Sequence, residues 1–283
     1  MKIISICLLL IMHFPLYSQL PGGAKQIGMA NSGLALADDV FSLYSNSAGL
    51  AQLPSREFGA FWSPQPFGFS ELSSFRFAYT EPLPWFTAAL GFTNYGFELY
   101  KENQITIALS RNFSNLFFAG ISADLSFLTI KNYGTDNTLK LNLSGLYYIT
   151  DDLRGAFEIR NVTRSTRGTE AGQIPVTYSF GMSYDFNNQF NLSAALEKES
   201  GFETSVMGGF SYEPIKYLSL RGGASTIPEK FTAGAGIIYS HFQFDYAIFT
   251  HSEFGVTHQF GIIFSFDEAY SRSHRLKSHL TNK

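Results

Sequence analysis

The feature that most restricts what this chain can fold into is a two-residue alternation of apolar and polar side chains, recurring from Ser55 to Phe266. It is clearest over Val176-Thr177-Tyr178-Ser179-Phe180-Gly181-Met182-Ser183-Tyr184-Asp185-Phe186, where every even position is apolar and every odd one is small or polar. Successive side chains of a strand point to opposite faces, so such a stretch is a strand with one apolar and one polar face. Leu139, Leu141 and Leu143 against Lys140, Asn142 and Ser144 repeat the pattern, as do Phe242, Phe244, Tyr246 and Ile248 against Gln243, Asp245 and Ala247. The last stretch puts Phe260, Ile262, Phe264 and Phe266 on one face and Gln259, Gly261, Ile263 and Ser265 on the other.

Fourteen stretches have this strand character: 55–62, 71–80, 84–93, 103–112, 115–129, 137–149, 152–161, 175–187, 189–199, 203–213, 216–225, 230–239, 241–250 and 256–266. An even count suits a bacterial single-chain barrel. The connections alternate, with tight ones at Pro82-Leu83, Phe113-Ser114, Thr150-Asp151, Asn187-Asn188, Pro214-Ile215 and Ser240-His241 and longer ones at 63–70, 94–102, 130–136, 162–174, 199–203, 226–229 and 251–255. Short periplasmic turns and longer outer loops give that rhythm, and place both termini in the periplasm.

The chain holds 29 Phe and 15 Tyr with only 15% charged residues, yet no further run long enough for a membrane helix beyond its start. A lipid-facing aromatic half and a polar lumenal half reconcile these facts. The fold expected is therefore all-β, a transmembrane antiparallel β-barrel of about 14 strands with a short N-terminal helical plug segment. A periodic soluble β-protein is the structural alternative. Closure favours the barrel, because an unpaired backbone group facing hydrocarbon costs several kcal/mol.

Residues 1–19 read as a signal peptide: a lone Lys2, an apolar run from Ile3 to Met12, and Leu16-Tyr17-Ser18 before Gln19. His13 and Pro15 interrupt the run too early for a membrane-spanning anchor. Cys7, the only cysteine, lies in this run, which removes disulfide and thiolate chemistry from the rest of the chain. With 20 Lys and Arg against 23 Asp and Glu, and no basic block in the barrel region, nucleic acid is not an expected partner. The basic stretch within 267–283 (Arg272, His274, Arg275, Lys277, His279, Lys283) is expected to be a solvated periplasmic tail.

No cofactor or metal motif stands out, and no enzyme is expected. His241, His251 and His258 are scattered, and His251 beside Ser252 alternates faces with it, without a Gly-x-Ser-x-Gly elbow. Strand parity places Asp124, Lys140, Arg154, Glu158, Arg160, Asp185, Glu197, Arg221 and Asp245 in the lumen, where they brace the wall or hold the N-terminal segment. Gln259, Gly261, Phe264 and Phe266 form the C-terminal assembly signal, implying outer-membrane lipid and the barrel-assembly machinery as partners.

Residues 20–54 differ from the rest. Gly22-Gly23-Ala24-Lys25-Gln26-Ile27-Gly28-Met29-Ala30 is rich in small residues, Ala35-Leu36-Ala37-Asp38-Asp39-Val40 is expected to open a short helix capped by its carboxylates, and Asn46-Ser47-Ala48-Gly49-Leu50-Ala51 ends in a turn. At Gly28, Met29, Ala37, Asp38, Asp39, Asn46, Ala48, Gly49 and Leu50 this segment resembles the N-terminal signature of FadL-type outer-membrane transporters and their shorter PorV/PorQ-like relatives. Ser47 stands where that signature usually has Pro. Asp245-Tyr246-Ala247, Gly255-Val256-Thr257-His258 and Arg221-Gly222-Gly223 resemble the PorV/PorQ-like group at the other end.

The resemblance implies a barrel in the outer membrane of a Gram-negative bacterium, its 55–266 wall enclosing the 20–54 segment. In the PorV-like branch, the leading expectation, it implies a binding or scaffold component of type IX protein secretion, with secretion-system proteins as partners. In the FadL-like branch it implies a conduit for hydrophobic small molecules such as long-chain fatty acids.

Overall fold

In the computed structural model, which describes residues 22–168, 172–187, 189–251 and 255–267, one antiparallel sheet closes on itself. Its strands are β1 (Glu57–Ser63), β2 (Ser74–Pro82), β3 (Thr87–Gly96), β4 (Tyr100–Phe113), β5 (Phe117–Ile130), β6 (Gly134–Tyr148) and β7 (Leu153–Arg160). They continue with β8 (Thr177–Asp185), β9 (Phe190–Glu199), β10 (Thr204–Ile215), β11 (Leu218–Thr226), β12 (Glu229–Tyr239), β13 (Phe242–His251) and β14 (Gly255–Ser265). Each pairs with its sequence neighbour, and β1 meets β14 through Phe58 opposite Phe264, so no sheet edge remains. Each of the fourteen stretches read from the alternation corresponds to one of these strands. The signal segment 1–19, residues 268–283 of the basic tail, Glu170, Ser252 and Phe254 lie outside the described residues.

The two faces sort as the alternation requires. On β5 the outward residues Phe117, Ala119, Ile121, Ala123, Leu125 and Phe127 are all apolar, while Gly120, Ser122, Asp124 and Ser126 face the lumen. At about 3.3 Å per residue and the usual strand tilt, that run matches an apolar band about 25 Å tall. Phe180, Met182 and Tyr184 stay exposed on the same outer surface, where only an apolar surrounding makes them stable.

Three expectations about connections are corrected. The turn at Pro82-Leu83 occupies residues 83–86, closed by Leu83 N–H donating to the Phe86 carbonyl at 2.9 Å, because Pro84 has no N–H to give to a ladder. The stretches 94–102 and 130–136 are not long loops. They shrink to residues 97–99 and 131–133, since Lys101, Asn103, Thr135 and Asn137 continue their strands with polar side chains outward. Genuinely long connections are 64–73 and 161–176, and both close over the same end of the barrel.

Residues 22–56 run inside the barrel as helix α1 (Ala24–Gly28) followed by 3-10 turns at Gly33–Ala35, Val40–Tyr44 and Ser47–Gln52. The short helix expected from the 35–40 stretch opens only at its last residue, as the 3-10 turn Val40–Tyr44, because Ala37 takes a φ of 36° that interrupts any helical run before it. The Asp39 carboxylate caps this turn, accepting from the Phe41 N–H at 2.9 Å. Ile27, Val40, Phe41, Leu43, Leu50 and Leu53 form the apolar core with inward residues of the wall, notably Phe61, Ala78, Ala247, Phe249 and Ile263.

Candidate functional site, a plugged lumen

The N-terminal segment is held by polar contacts to strands β1, β2, β3, β4, β6, β7 and β12. Arg76 on β2 donates to the Gly22 carbonyl at 2.8 Å, the Glu57 carboxylate on β1 accepts from the Val40 N–H at 3.1 Å, and Thr232 on β12 donates to the Gly28 carbonyl at 3.0 Å. The Tyr44 hydroxyl donates to the Phe77 carbonyl at 2.6 Å; burial pushes it up to about 12, against the pull of Arg76, so it remains protonated. On the opposite side Ser47 and Ser144 hydroxyls are 2.8 Å apart, and Ser110 donates to the Ser47 carbonyl at 2.5 Å. Ser47 thus supplies a tether to the wall that a proline, with no side-chain donor, lacks.

All nine residues of the N-terminal signature are buried in this plug. Asp38 pairs with Lys25, while Asp39 also accepts from Gln26 Nε2 at 2.9 Å. Asn46 caps the Ser47–Gln52 turn at the Ala48 N–H and donates to the Leu34 carbonyl at 2.9 Å. The Ala37 carbonyl accepts from Gln52 Nε2 at 3.0 Å, and Gly49 packs so closely on Ala37 that no side chain fits. Gly28, Met29 and Leu50 are enclosed by the wall and the rest of the plug.

The nine lumenal charges expected from parity all point inward, but they divide into two groups. Near the end with the short turns, Arg154 binds both oxygens of Asp185 at 2.9 and 3.1 Å, and Arg221 binds Asp245 at 2.6 Å, each pair nearly fully buried. Asn191 and Gln243 donate to the same carboxylates at 2.7 and 2.6 Å, completing their hydrogen bonding. Arg154 reaches the Leu36 carbonyl at 3.5 Å, and the Arg221 stem lies against Gly28, so this group braces the plug.

Asp124, Lys140, Glu158, Arg160 and Glu197 form the second group and surround a cavity of about 360 Å³ between the plug and the long loops. Arg160 pairs with Glu197 and lies 3.5 Å from Glu158, while Lys140 stands 3.9 Å from Asp124. Across the mouth, Arg167 of the 161–176 connection binds Glu102 on β4 at 3.0 Å, closing that loop over the lumen. The rest of the lining mixes polar side chains, among them Asn31, Gln104 and Thr177, with apolar ones: Ile27, Ala30 and Leu43 from the plug, then Met207, Ile227 and Phe249 from the wall. It is an amphipathic chamber in which apolar side chains share the wall with charged and polar ones.

Of the assembly-signal residues, Phe264 faces outward against Phe58 and Phe242 at 5.2 and 5.1 Å, with Phe266 edge-on to it. Gln259 and Gly261 face the lumen, Gly261 beside Ala24 of the plug.

Sequence reasoning missed Glu57, Arg76, Glu102, Ser144, Arg167 and Lys230, all of which contact the plug or the cavity. It also missed that glycines at inward positions give the plug room: Gly59, Gly91, Gly120, Gly181, Gly209 and Gly223, the last read only as part of the Arg221-Gly222-Gly223 resemblance. Their inward phase on otherwise regular strands was the available signal, since a glycine inside a strand marks close backbone approach. A Cβ at Gly223 would meet the Met29 carbonyl carbon at 2.6 Å. Gly223→Val is therefore expected to keep the barrel folded but push the plug from its seat. Limited proteolysis checks this: cleavage between residues 22 and 53 is expected in the variant only, and a plug as protected as the wild type would refute it.

No family model and no curated protein matches the sequence. Solved structures do match. A FadL homologue from Pseudomonas aeruginosa superimposes with a TM-score of 0.61 at 11% identity, over 87% of this chain and 97% of that one. The fold is that of the FadL-type barrels. The deltaS2 mutant of TodX, a monoaromatic hydrocarbon channel, gives a TM-score of 0.67 at 12% identity over 90% of this chain and 100% of that one. The Pseudomonas putida toluene transporter TodX gives 0.58 at 13% over 87% and 98%.

Proposed function

We propose that this protein is a non-enzymatic conduit of the outer membrane, admitting small molecules with substantial apolar surface from the loop end and releasing them when the plug shifts. The observation that carries the reading is the amphipathic cavity, which the plug floors and the 161–176 loop covers. The apolar outer band fits a membrane barrel, and with the short turns on the periplasmic side both termini are periplasmic. The FadL-type neighbours, one of them a toluene transporter, favour a transported small molecule over a chemical reaction. A bacterial host expressing the protein is expected to take up labelled toluene or a medium-chain fatty acid several-fold faster than the same host without it. Equal uptake of both compounds, with the barrel verified by its heat-dependent gel mobility, would refute the reading.

A second reading, a PorV-like scaffold for secreted proteins, draws support from two residues of that resemblance. Tyr246 and His258 meet on the outer surface, with the hydroxyl 2.6 Å from the imidazole Nδ1. In this reading the barrel acts through its rim and loops. Mild-detergent purification is expected to retain secretion-system proteins stoichiometrically, and shortening the 162–174 loop to release them; a preparation without such proteins would remove the reading.

A further inference from the structure

Lys230 is the cation of the cavity that the fold leaves unanswered. It lies one residue into β12, opposite Ser225 of β11, and is only 8% exposed. Among the described residues its ammonium makes no ion pair within 4.0 Å and no hydrogen bond; Glu197 acts on it only from farther off, and the Phe249 ring lies 5.2 Å from Nζ to the centroid. The other cations of the chamber are provided for. Arg160, Arg167 and Lys140 face carboxylates, and Arg76 donates to the Gly22 carbonyl between the Tyr44 and Phe61 rings. A buried ammonium without a partner is costly, and a ring face offsets only part of that cost.

The surroundings of Lys230 define what would complete it. Met207, Ile227, Pro228 and Phe249 share its flank of the cavity, and Phe249 is backed edge-on by Phe67, whose N–H is fixed at 2.9 Å to the Thr257 hydroxyl. Glu197 and Glu199 also line the chamber and disfavour a second negative charge. One buried ammonium, an apolar and aromatic flank and nearby carboxylates together select a monoanion with a compact apolar body. We infer that the cavity binds a small organic carboxylate, with the carboxylate on Lys230 and the apolar body against Phe249, Met207 and Ile227. This rests on the conduit reading and names the chemical class that the chamber retains.

The test is calorimetric titration of the purified full-length barrel in detergent with sodium benzoate, beside toluene and benzylamine, for the wild type, Lys230→Met, Lys230→Arg and the loop control Lys131→Met. The wild type, Lys131→Met and Lys230→Arg are expected to bind benzoate, Lys230→Met at least tenfold more weakly, and benzylamine not at all. Heat-dependent gel mobility reports whether each variant remains folded; should Lys230→Met fail to fold, the benzoate preference of the wild type over toluene and benzylamine decides. Equal binding of benzoate by folded Lys230→Met, or toluene binding at least as tight as benzoate, would overturn the inference. Binding is read without transport, so benzoate bound by a protein that gives no uptake would refute the conduit and leave the site standing, whereas uptake without benzoate binding would do the reverse.

Discussion

Asp245→Ala is expected to destabilise the folded barrel by roughly 3–5 kcal/mol, because it strands the Arg221 guanidinium in a buried site. Arg221 and Asp245 side chains are 3% and 2% exposed, and the carboxylate is held at the same time by Gln243. The partner left behind has no route to water, and its stem abuts Gly28 of the plug, so the loss reaches the plug as well as the wall. Arg56→Ala provides the contrast. It breaks an ion pair whose arginine is 55% exposed, and solvent screening leaves little to lose. Urea unfolding in lipid vesicles, followed by heat-dependent gel mobility, separates the two. A midpoint for Asp245→Ala close to that of Arg56→Ala would contradict the role assigned to the pair.

Locking the plug to the wall is expected to abolish uptake reversibly. Ser47 and Ser144 hydroxyls lie 2.8 Å apart, so cysteines at both positions are within reach of a disulfide after small adjustment. Cys7 is the only native cysteine, and a Cys7→Ser background leaves one possible pair. In the oxidised Ser47→Cys/Ser144→Cys protein, uptake of the transported solute is expected to fall to that of the host without the protein, and dithiothreitol to restore it. Full uptake by the cross-linked form would mean that this part of the plug does not move, and the route would have to bypass it.

The wall was legible in the sequence because a strand's two-residue period is a local property. Tyr178, Phe180 and Met182 against Ser179, Gly181 and Ser183 declare their faces without reference to anything distant. The same parity put Arg154, Asp185, Arg221 and Asp245 on the inward face, yet it could not separate the pairs that brace the plug from those around the cavity. That division depends on the height of each residue along a tilted barrel and on where the plug stops. The plug itself has no period to read. Its path is set by contacts over long sequence separations, such as Tyr148 with Gln52 and Thr232 with Gly28, and by Ala37, whose positive φ no composition rule announces. Polar strand ends were also misread: Lys101 and Thr135 look like loop residues because they sit where the outer face leaves the apolar band. Lys230 carried no motif at all, and only the enclosure of its side chain gives it meaning.

Residues 22–53 close the barrel, and single-channel recording in planar bilayers measures that directly. Wild-type protein is expected to show no sustained conductance, and the same protein lacking residues 22–53 to open in stable steps, with heat-dependent gel mobility confirming that both are folded. Equal conductance in the two folded proteins would contradict it, for the N-terminal segment would then not be the plug.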